Sequence, residues 1–564
     1  MSGPRPNACM NPIIPGWNPD PSCICVPELG NTFFCVVSSF SIFPGLPLYG
    51  SKDLIHWKLV CNIINRREQV PEIGTDRAQD NGIFAPTIRY HDGRFFVIVE
   101  YVTIEDPPTG FGLVFSALGP FDPLSWGNPV IFREPKGILD PDLFWDDDGQ
   151  VYIQAGSFDQ VIVQFNLDLE TGISGPVKNI WHGTGGIAPE GPHLYKKDGY
   201  YYLLIAEGGT DLPHCVNIAR ATQPDGPFVP YEANPILTNR NTAEYFQTVG
   251  HADLFQDPEG NWWGVALSTR SGPEYRHYPM GRETILFSVV WAENDWPRLT
   301  SVKGRLSAPA FLPQRLDMPG TGHWNHEDEL LEFPPKSPLP LHLVHWRFPP
   351  VNYISTSSTG QTHGLQLRPS RSTLTGSYGN ISTNGVTLVA RRQTSTLFVF
   401  EIDVKVPSNF PKGVEAGATT FVNEWQNVAM SLTSLQGAGS NSVVPRDGLY
   451  IKFQVNGKGA EPPQEHLDFI ALPVEWANIQ HIRFRIQATD YASYWFSACP
   501  SNNENLDRSV PTVIRMVDNA ILSGGTGHWS GCLLGAFATS NGMESEIVFA
   551  VEKWQYKNNG QVIE

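Results

Sequence analysis

The sequence Leu139-Asp-Pro-Asp-Leu-Phe-Trp-Asp-Asp-Asp-Gly149-Gln-Val-Tyr-Ile153 holds the pattern that decides the fold. Two runs of branched and aromatic residues flank an Asp-Gly dipeptide, which is typical of a β-hairpin turn with positive φ angles. A turn glycine followed by aromatic or branched residues recurs at Gly30, Gly93, Gly149, Gly199 and Gly260. A hairpin unit every 50 to 63 residues is typical of one four-stranded propeller blade per repeat. The first half of this all-β chain is therefore predicted to be a five-bladed β-propeller.

The repeat also predicts which side chains meet at the centre of the propeller. The first strand of each blade is innermost and lines the central channel. Nine residues before each turn glycine, or ten in the first blade, stand Asp20, Phe84, Asp140, Glu190 and His251. Carboxylates that converge on one axis raise one another's pKa, which is typical of functional sites. The alternative is that each acid only caps its own turn.

Paired carboxylates in an aromatic-lined cleft point to the hydrolysis of glycosidic bonds. One carboxylic acid protonates the leaving oxygen, and a carboxylate on the opposite face activates water. Asp142 is a competitor for Asp140, because residues two apart share one face of a strand. Flat surfaces for sugar rings are predicted at four aromatic residues, with core packing as the alternative for each: Trp17, Phe40, Phe43 and Phe84.

Composition excludes several other classes of function. The net charge of −18 argues against a nucleic-acid partner, because no basic surface is available to bind phosphates. No run of 18 apolar residues is present, so no membrane-spanning helix is expected. The first residues carry no apolar signal-peptide region, which predicts a cytoplasmic protein or a mature secreted form. The oligomeric state is left open.

The second half reads as a separate β domain. A stretch rich in Pro, Gly and Glu predicts a linker at 312–341, between a catalytic domain at 1–311 and an accessory domain at 342–564. Runs such as Leu397-Phe-Val-Phe-Glu-Ile-Asp-Val404 and Ile482-Arg-Phe-Arg-Ile486 alternate apolar and polar residues. Period-two patterns without an intervening long helix predict a two-sheet β-sandwich.

Motifs along residues 11–310 resemble those of glycoside hydrolase family 43. The chain is most similar to family β-xylosidases and α-L-arabinofuranosidases that carry a C-terminal concanavalin-A-like β-sandwich. The motifs are Asn11-Pro-Ile-Ile-Pro-Gly-Trp-Asn-Pro-Asp-Pro-Ser22, Ala85-Pro-Thr-Ile-Arg89, Leu139-Asp-Pro-Asp-Leu-Phe144, Pro189-Glu-Gly-Pro-His-Leu-Tyr195, Gly250-His-Ala-Asp-Leu254 and Gly281-Arg-Glu-Thr284. The resemblance implies an inverting exo-glycosidase that releases xylose, arabinose or both from xylo-oligosaccharides or arabinoxylan.

The resemblance also implies a role for each site residue. The general base falls on Asp20, the pKa-modulating acid on Asp140 and the general acid on Glu190. Arg282 clamps the substrate, and His251 lies under the sugar, where relatives can hold calcium; no cofactor is required, and Ca²⁺ is a candidate only. Trp17, Phe40 and Phe84 complete the expected substrate-binding set.

Two rival functions stay open, and one segment has two interpretations. The rivals are a retaining five-bladed fructosidase-like hydrolase and a non-catalytic carbohydrate-binding propeller. In relatives the sandwich lends a loop to the rim of the active site. The segment Gly524-Gly-Thr-Gly-His-Trp529 is either such a loop or a surface turn.

Overall fold

The structure is a computed structural model, and it describes residues 10–75, 81–104, 108–133, 137–306, 314–356, 363–377, 385–435, 448–457, 465–476, 479–501, 513–525 and 529–564. Regular structure in these ranges consists of β-strands and short 3₁₀ helices at Pro27–Leu29, Arg67–Gln69, Pro71–Gly74, Pro123–Ser125, Val474–Trp476 and Asn519–Leu522. Among the described residues, no helix is long and apolar enough to cross a bilayer. The predicted cellular location stays a prediction.

The described first half folds into five four-stranded antiparallel sheets. Its strands are β1 (Ser22–Val26), β2 (Thr32–Val36), β3 (Ile42–Phe43), β4 (Gly45–Ser51), β5 (Lys58–Ile64), β6 (Gly82–His91), β7 (Arg94–Thr103), β8 (Thr109–Ala117), β9 (Val130–Phe132), β10 (Leu139–Trp145), β11 (Val151–Gly156), β12 (Ile162–Asn166), β13 (Lys178–Trp181), β14 (Glu190–Lys197), β15 (Tyr200–Glu207), β16 (Cys215–Ala221), β17 (Val229–Pro230), β18 (Phe246–Gln256), β19 (Trp262–Arg270), β20 (Arg282–Val290) and β21 (Arg298–Leu299). The sheets are β1-β2-β4-β5, β6 to β9, β10 to β13, β14 to β17 and β18 to β21.

The first strands of the five sheets form a closed ring. In order around the ring, β1 packs against β6, β6 against β10, β10 against β14, β14 against β18, and β18 returns to β1. Each predicted turn glycine has a positive φ, between 70° and 83°, and follows the first strand of its sheet. This arrangement places the first strands around a common axis, as the repeat in the sequence predicts.

The second half is a sandwich of two antiparallel sheets. Its strands are β22 (Glu329–Leu331), β23 (His345–Trp346), β24 (Ile354–Thr356), β25 (Leu365–Leu367), β26 (Thr387–Arg392), β27 (Leu397–Lys405), β28 (Glu415–Phe421), β29 (Gln426–Leu435), β30 (Gly448–Gly457), β31 (Glu465–Ala471), β32 (His481–Ala488), β33 (Ser493–Pro500), β34 (Val513–Asp518), β35 (Leu533–Thr539) and β36 (Phe549–Gly560). One sheet runs β24-β25-β36-β27-β32-β33-β34 with β22 beside β36, and the other runs β26-β35-β28-β29-β30-β31. The two sheets enclose one apolar core, in which alternate residues such as Phe398, Phe400 and Ile402 are fully buried. The predicted fold class, an all-β propeller followed by a sandwich, is confirmed.

The two halves are in direct contact. Strand β3 of the first half pairs with β23 of the second, and Nε of Arg392 in β26 donates to the carbonyl of Trp17 at 2.8 Å. Within the predicted linker, Glu329–Leu331 adds a strand to the sandwich by pairing with β36, so this part of the stretch is an edge strand. The domain boundaries stay predictions.

Candidate active site

The five inner-strand positions predicted from the repeat line one cavity. Asp20, Phe84, Asp140, Glu190 and His251 all border a cavity of about 240 Å³. The remaining lining residues are Phe40, Ile104, Leu139, Phe158, Ala188, Gly209, Thr210, Arg282 and Trp529. The structure therefore brings the three candidate acids, the histidine and the arginine into one pocket.

A left-handed backbone residue marks each inner strand at the level of the pocket. Asp20, Asp140 and His251 have φ angles of 54°, 54° and 52°, and in the other two sheets Ala85 and Gly191 follow the pocket residue with φ of 35° and 54°. In four of the sheets the pairing of the first two strands shifts register here. Such irregularities re-aim side chains beside active sites, and left-handed non-glycine residues store strain of about 1–3 kcal/mol each.

Asp20 is held by two donors at one side of the pocket. The Ser38 hydroxyl donates to its Oδ2 at 2.6 Å, and an Arg282 guanidinium nitrogen donates to its Oδ1 at 3.1 Å. The same guanidinium nitrogen reaches the Thr210 hydroxyl at 3.0 Å and the group lies 5.6 Å from the centre of the Phe40 ring. Charge-assisted hydrogen bonds of this kind are short and fix the orientation of the carboxyl group.

Glu190 and Asp140 lie in the same pocket and differ in their hydrogen bonds. Burial raises the pKa of Glu190 well above its ordinary value, and the charges of Asp140 and Asp20 raise it further, against the opposing effect of Arg282. Burial also raises the pKa of Asp140, which His251 opposes and Asp20 reinforces. Asp140 Oδ2 accepts a 2.9 Å hydrogen bond from the backbone of Gly191, whereas no protein hydrogen bond to the Glu190 carboxyl is found among the described residues. The Glu190 carboxyl therefore has a raised pKa and no competing hydrogen bond within the described residues.

His251 lies between two acids without a direct hydrogen bond to either. Its Nδ1 is 4.0 Å from Asp20 Oδ1 and 3.9 Å from Asp140 Oδ2. Within the described residues, no group of three or more His, Cys, Asp or Glu side chains is arranged to hold a metal ion. This donor set does not fit a calcium site, so no step is assigned to calcium, and the His251 metal role stays a prediction.

Aromatic rings form one wall of the pocket. Phe40 and Phe84 lie 4.6 Å apart between ring centres, and Phe84 meets Trp529 edge-on at 6.0 Å. Trp17 is only 1% exposed and stacks behind Phe40 at 5.6 Å, so it supports the wall from inside the core. Phe43 packs edge-on against a phenylalanine outside the pocket lining.

The chain matches two known family models, one in each half. The family model described as glycosyl hydrolases family 43 matches residues 9–297. The chain belongs to glycosyl hydrolase family 43. A second model, the β-xylosidase C-terminal concanavalin A-like domain, matches residues 332–557 of this family 43 chain. The predicted family resemblance is confirmed.

The relatives of this family 43 chain match it over different fractions of its length. It is 40% identical to a non-reducing end α-L-arabinofuranosidase of Bacteroides ovatus, over 51% of the chain and 53% of the relative. The match thus spans about half of that relative's length. It is 30% identical to a β-xylosidase of Bacillus subtilis over 79% of the chain and 86% of the relative. A solved xylan β-1,4-xylosidase of Bacillus halodurans superposes with a TM-score of 0.82 at 26% identity, covering 98% of this chain and 100% of that one.

A second layer of polar side chains lies next to the pocket residues along the inner strands of the family 43 chain. It consists of Arg89, Asp142, His193 and Asp253. Arg89 donates to Asp142 at 2.6 Å and to Asp253 at 2.9 Å, and it contacts His193 at 3.1 Å. Burial would raise the pKa of Asp142, but Arg89 and His193 lower it below its ordinary value. Asp142 is therefore a fully buried, ion-paired residue, which removes it as a competitor for Asp140.

Sequence reasoning missed several residues that line or support the site, among them the polar residues Thr210 and Glu100. Thr210, which binds Arg282, lies in a glycine-rich loop without a repeat position that would mark it. Glu100, whose carboxylate oxygen accepts the Asp140 backbone N–H, stands alone in the apolar run Phe95-Phe-Val-Ile-Val-Glu-Tyr-Val102, and an acid in such a run is a detectable signal. Of the two interpretations of the 524–529 segment, the pocket lining supports the rim loop for Trp529; residues 526–528 lie outside the described residues.

Proposed function

We propose that this family 43 chain is an inverting exo-glycosidase that removes xylose, arabinose or both from the ends of xylo-oligosaccharides or arabinoxylan. One observation carries the proposal. A carboxyl group with a strongly raised pKa, Glu190, shares a pocket with Asp20, a carboxylate held by two donors. A proton-donating acid and an oriented carboxylate in one cleft are the requirement for acid–base cleavage of a glycosidic bond.

Glu190 is assigned as the general acid. Its raised pKa keeps the proton on the carboxyl at a pH where an ordinary glutamic acid, with a pKa of about 4.3, has lost it. The carboxyl makes no competing protein hydrogen bond among the described residues, so the proton is available to the leaving oxygen. Asp140 contributes in two ways, because its charge raises the Glu190 pKa and its carboxylate binds the backbone next to Glu190.

Asp20 is assigned as the general base. Hydrogen bonds from Ser38 and Arg282 fix its carboxylate orientation, and an oriented carboxylate can take a proton from a water that attacks the sugar from the opposite face. In a single displacement the water oxygen bonds to the anomeric carbon and gives a proton to Asp20, while the bond to the leaving oxygen breaks and that oxygen takes the proton of Glu190, so the anomeric configuration inverts. Arg282 also lines the pocket, where we assign it to substrate binding.

The size of the pocket and the relatives support a pentose-releasing activity. Pockets for drug-sized ligands hold roughly 300–1,000 Å³, so a cavity of about 240 Å³ suits a single small sugar unit. Relatives are named β-xylosidase and non-reducing end α-L-arabinofuranosidase. Xylose and arabinose are both pentoses, so either fits this size class, and we propose the terminal pentose of xylan-type substrates as the occupant.

The stereochemistry of the first product tests the proposal directly. Purified protein is incubated with nitrophenyl β-xyloside and, separately, nitrophenyl α-arabinofuranoside, and the anomer formed first is followed by proton NMR. An inverting enzyme releases α-xylose from the β-xyloside. First release of β-xylose would show retention and would assign Asp20 as a nucleophile, and no hydrolysis of either substrate would support a binding propeller.

The substitution Glu190→Gln tests the assignment of the acid. General acid catalysis contributes about 10²–10⁴-fold, so we expect a loss of that order on xylobiose. The loss should be much smaller on substrates with activated leaving groups, which need little protonation. Glu170→Gln, a change at an exposed turn glutamate, serves as the matched control and should leave both rates unchanged. Equal losses on both substrates would contradict the assignment of Glu190.

A further inference from the structure

Glu100 is a fully buried acid directly behind the pocket. It lies in β7, the second strand of the second sheet, opposite Phe84 of the pocket wall in the strand register. Its side chain is 0% exposed. One oxygen, Oε1, accepts the backbone N–H of Asp140 at 2.8 Å, and Oε2 has no hydrogen-bond partner.

The bond from Glu100 lies at a strained point of the chain. Asp140 has a left-handed backbone with φ of 54°, a conformation that non-glycine residues keep only when their surroundings hold them. The Asp140 carboxylate in turn accepts the N–H of Gly191 at 2.9 Å, and Gly191 follows Glu190. Two consecutive hydrogen bonds therefore connect Glu100 to the backbone that carries the general acid.

We propose that Glu100 is a positioning residue that acts as a hydrogen-bond acceptor to fix Asp140 and, through Asp140 and Gly191, the general acid Glu190. The proposal rests on the proposed function for its catalytic meaning. Glu100 itself does not line the pocket and takes no part in bond making. Its role is to hold the left-handed backbone of Asp140, so that the Asp140 carboxylate faces Gly191.

The neighbouring sheet contains the same kind of contact. There the Ser38 hydroxyl accepts the backbone N–H of Ala85 at 2.7 Å, and Ala85 is the left-handed residue of the second inner strand, with φ of 35°. In both cases the supporting side chain comes from the preceding repeat, from just after β2 for Ser38 and from β7 for Glu100, and it binds the left-handed residue of the next inner strand. A neutral oxygen is sufficient for Ala85, which indicates that an acceptor atom is the requirement.

The surroundings of Glu100 favour its neutral form. Burial raises the pKa of Glu100 well above its ordinary value, and the nearby charge of Asp140 raises it further, although the Asp140 N–H bond opposes both. No arginine, lysine or histidine among the described residues forms an ion pair with it within 4.0 Å. A neutral carboxyl and a glutamine amide both offer a carbonyl oxygen to the Asp140 N–H, so glutamine is the conservative replacement.

The test compares Glu100→Gln, which keeps the acceptor, with Glu100→Leu, which fills a similar volume without one. We expect E100Q to keep kcat on xylobiose within about threefold and to leave the pH profile unchanged. We expect E100L to lower kcat on xylobiose at least tenfold, with KM changed less than threefold and a much smaller loss on activated substrates. When Asp140 moves away, its charge raises the Glu190 pKa less, so the alkaline limb of the E100L profile should shift to lower pH.

Crystal structures of the two variants give a readout that does not depend on activity. E100Q should keep the Asp140–Gly191 contact near 2.9 Å, and E100L should lose it. An E100L variant with an intact contact, or with wild-type kcat and pH profile, would overturn the proposal, and so would an E100Q variant that loses the contact. If the wild type cleaves no pentoside, the proposed function fails, while the two crystal structures still decide the positioning role. If E100L does not fold, E100Q and its structure decide it.

Discussion

Replacing Arg89 by methionine would leave two buried carboxylates without their cation. Asp142 and Asp253 are both 0% exposed, and Arg89 ion-pairs with them at 2.6 and 2.9 Å. Further hydrogen bonds reach Asp253 from the Ser22 hydroxyl at 2.6 Å and from the Tyr195 hydroxyl at 2.8 Å, but these donors are neutral. Methionine fills part of the volume and supplies no positive charge.

Removing one partner of a buried ion pair costs about 3–5 kcal/mol of unfolding free energy, because the remaining charge is left uncompensated. Arg89 serves two carboxylates, so we expect Arg89→Met to reach the upper part of that range at pH 7.5. In the wild type the pKa of Asp253 is lowered to about 2, since Arg89 and His193 outweigh its burial. Its stabilising contribution is present above the ordinary pKa of about 3.9 and is lost as the pH falls toward 2.

The variant should show the opposite pH dependence. Without Arg89, burial raises the pKa values of Asp142 and Asp253, so protonation on acidification relieves the penalty. Urea unfolding curves at pH 7.5 and 5.0 should therefore show a smaller difference from wild type at pH 5.0, by about 1.4 kcal/mol for each unit by which the raised pKa exceeds 5.0. Arg94→Met, at an exposed arginine of the same sheet, is the control. A loss below about 1 kcal/mol at pH 7.5, or one equal at both pH values, would refute this reasoning.

Three further predictions concern the pocket. Trp529→Ala removes a ring from the wall but keeps the backbone carbonyl that binds Trp17 and Arg282, so we expect a KM increase of about tenfold with a smaller change in kcat; an unchanged KM would show that the ring does not contact substrate. His251→Ala should lower kcat strongly with an unchanged melting temperature, because the residue opposes the negative charge of Asp140; a matching loss of thermal stability would indicate a packing role instead. Exhaustive chelation should leave activity intact, and activity lost with EDTA and restored by Ca²⁺ would contradict this.

Much of the fold followed from local signals that repeat along the chain. Turn glycines such as Gly149 and Gly199 have the positive φ that their Asp-Gly turns predict, and counting back from them reached Asp140 and Glu190, which both line the pocket. The count works because one turn type fixes the strand register. It could not show that the left-handed residue is Asp140 itself in one sheet and Gly191, one position later, in the next.

Contacts between distant parts of the chain were harder to predict. Trp529 reaches the pocket from the second half of the chain, and nothing in its local sequence states which surface the sandwich presents to the propeller. Trp17 was assigned to sugar binding because it stands near Asp20, but it is buried behind Phe40. Sequence proximity to a catalytic acid therefore does not distinguish a residue that lines a pocket from one that supports it.

The two polar layers along the inner strands show how the same residue type takes opposite roles. Asp140 and Asp142 are two positions apart on one strand, yet burial and Asp20 raise the pKa of the first. Arg89 and His193 lower the pKa of the second against its burial. Arg89 pairs with Asp142 and Asp253 rather than with the acids of the pocket. The pocket is therefore left with more acidic than basic side chains. Burial is the larger cause of the raised Glu190 pKa, and the negative charges of Asp140 and Asp20 raise it further. An additional cation near Asp140 would lower the Glu190 pKa, as Arg282 already does in part, so the uneven distribution of charge between the layers supports the proposed role of Glu190 as an acid.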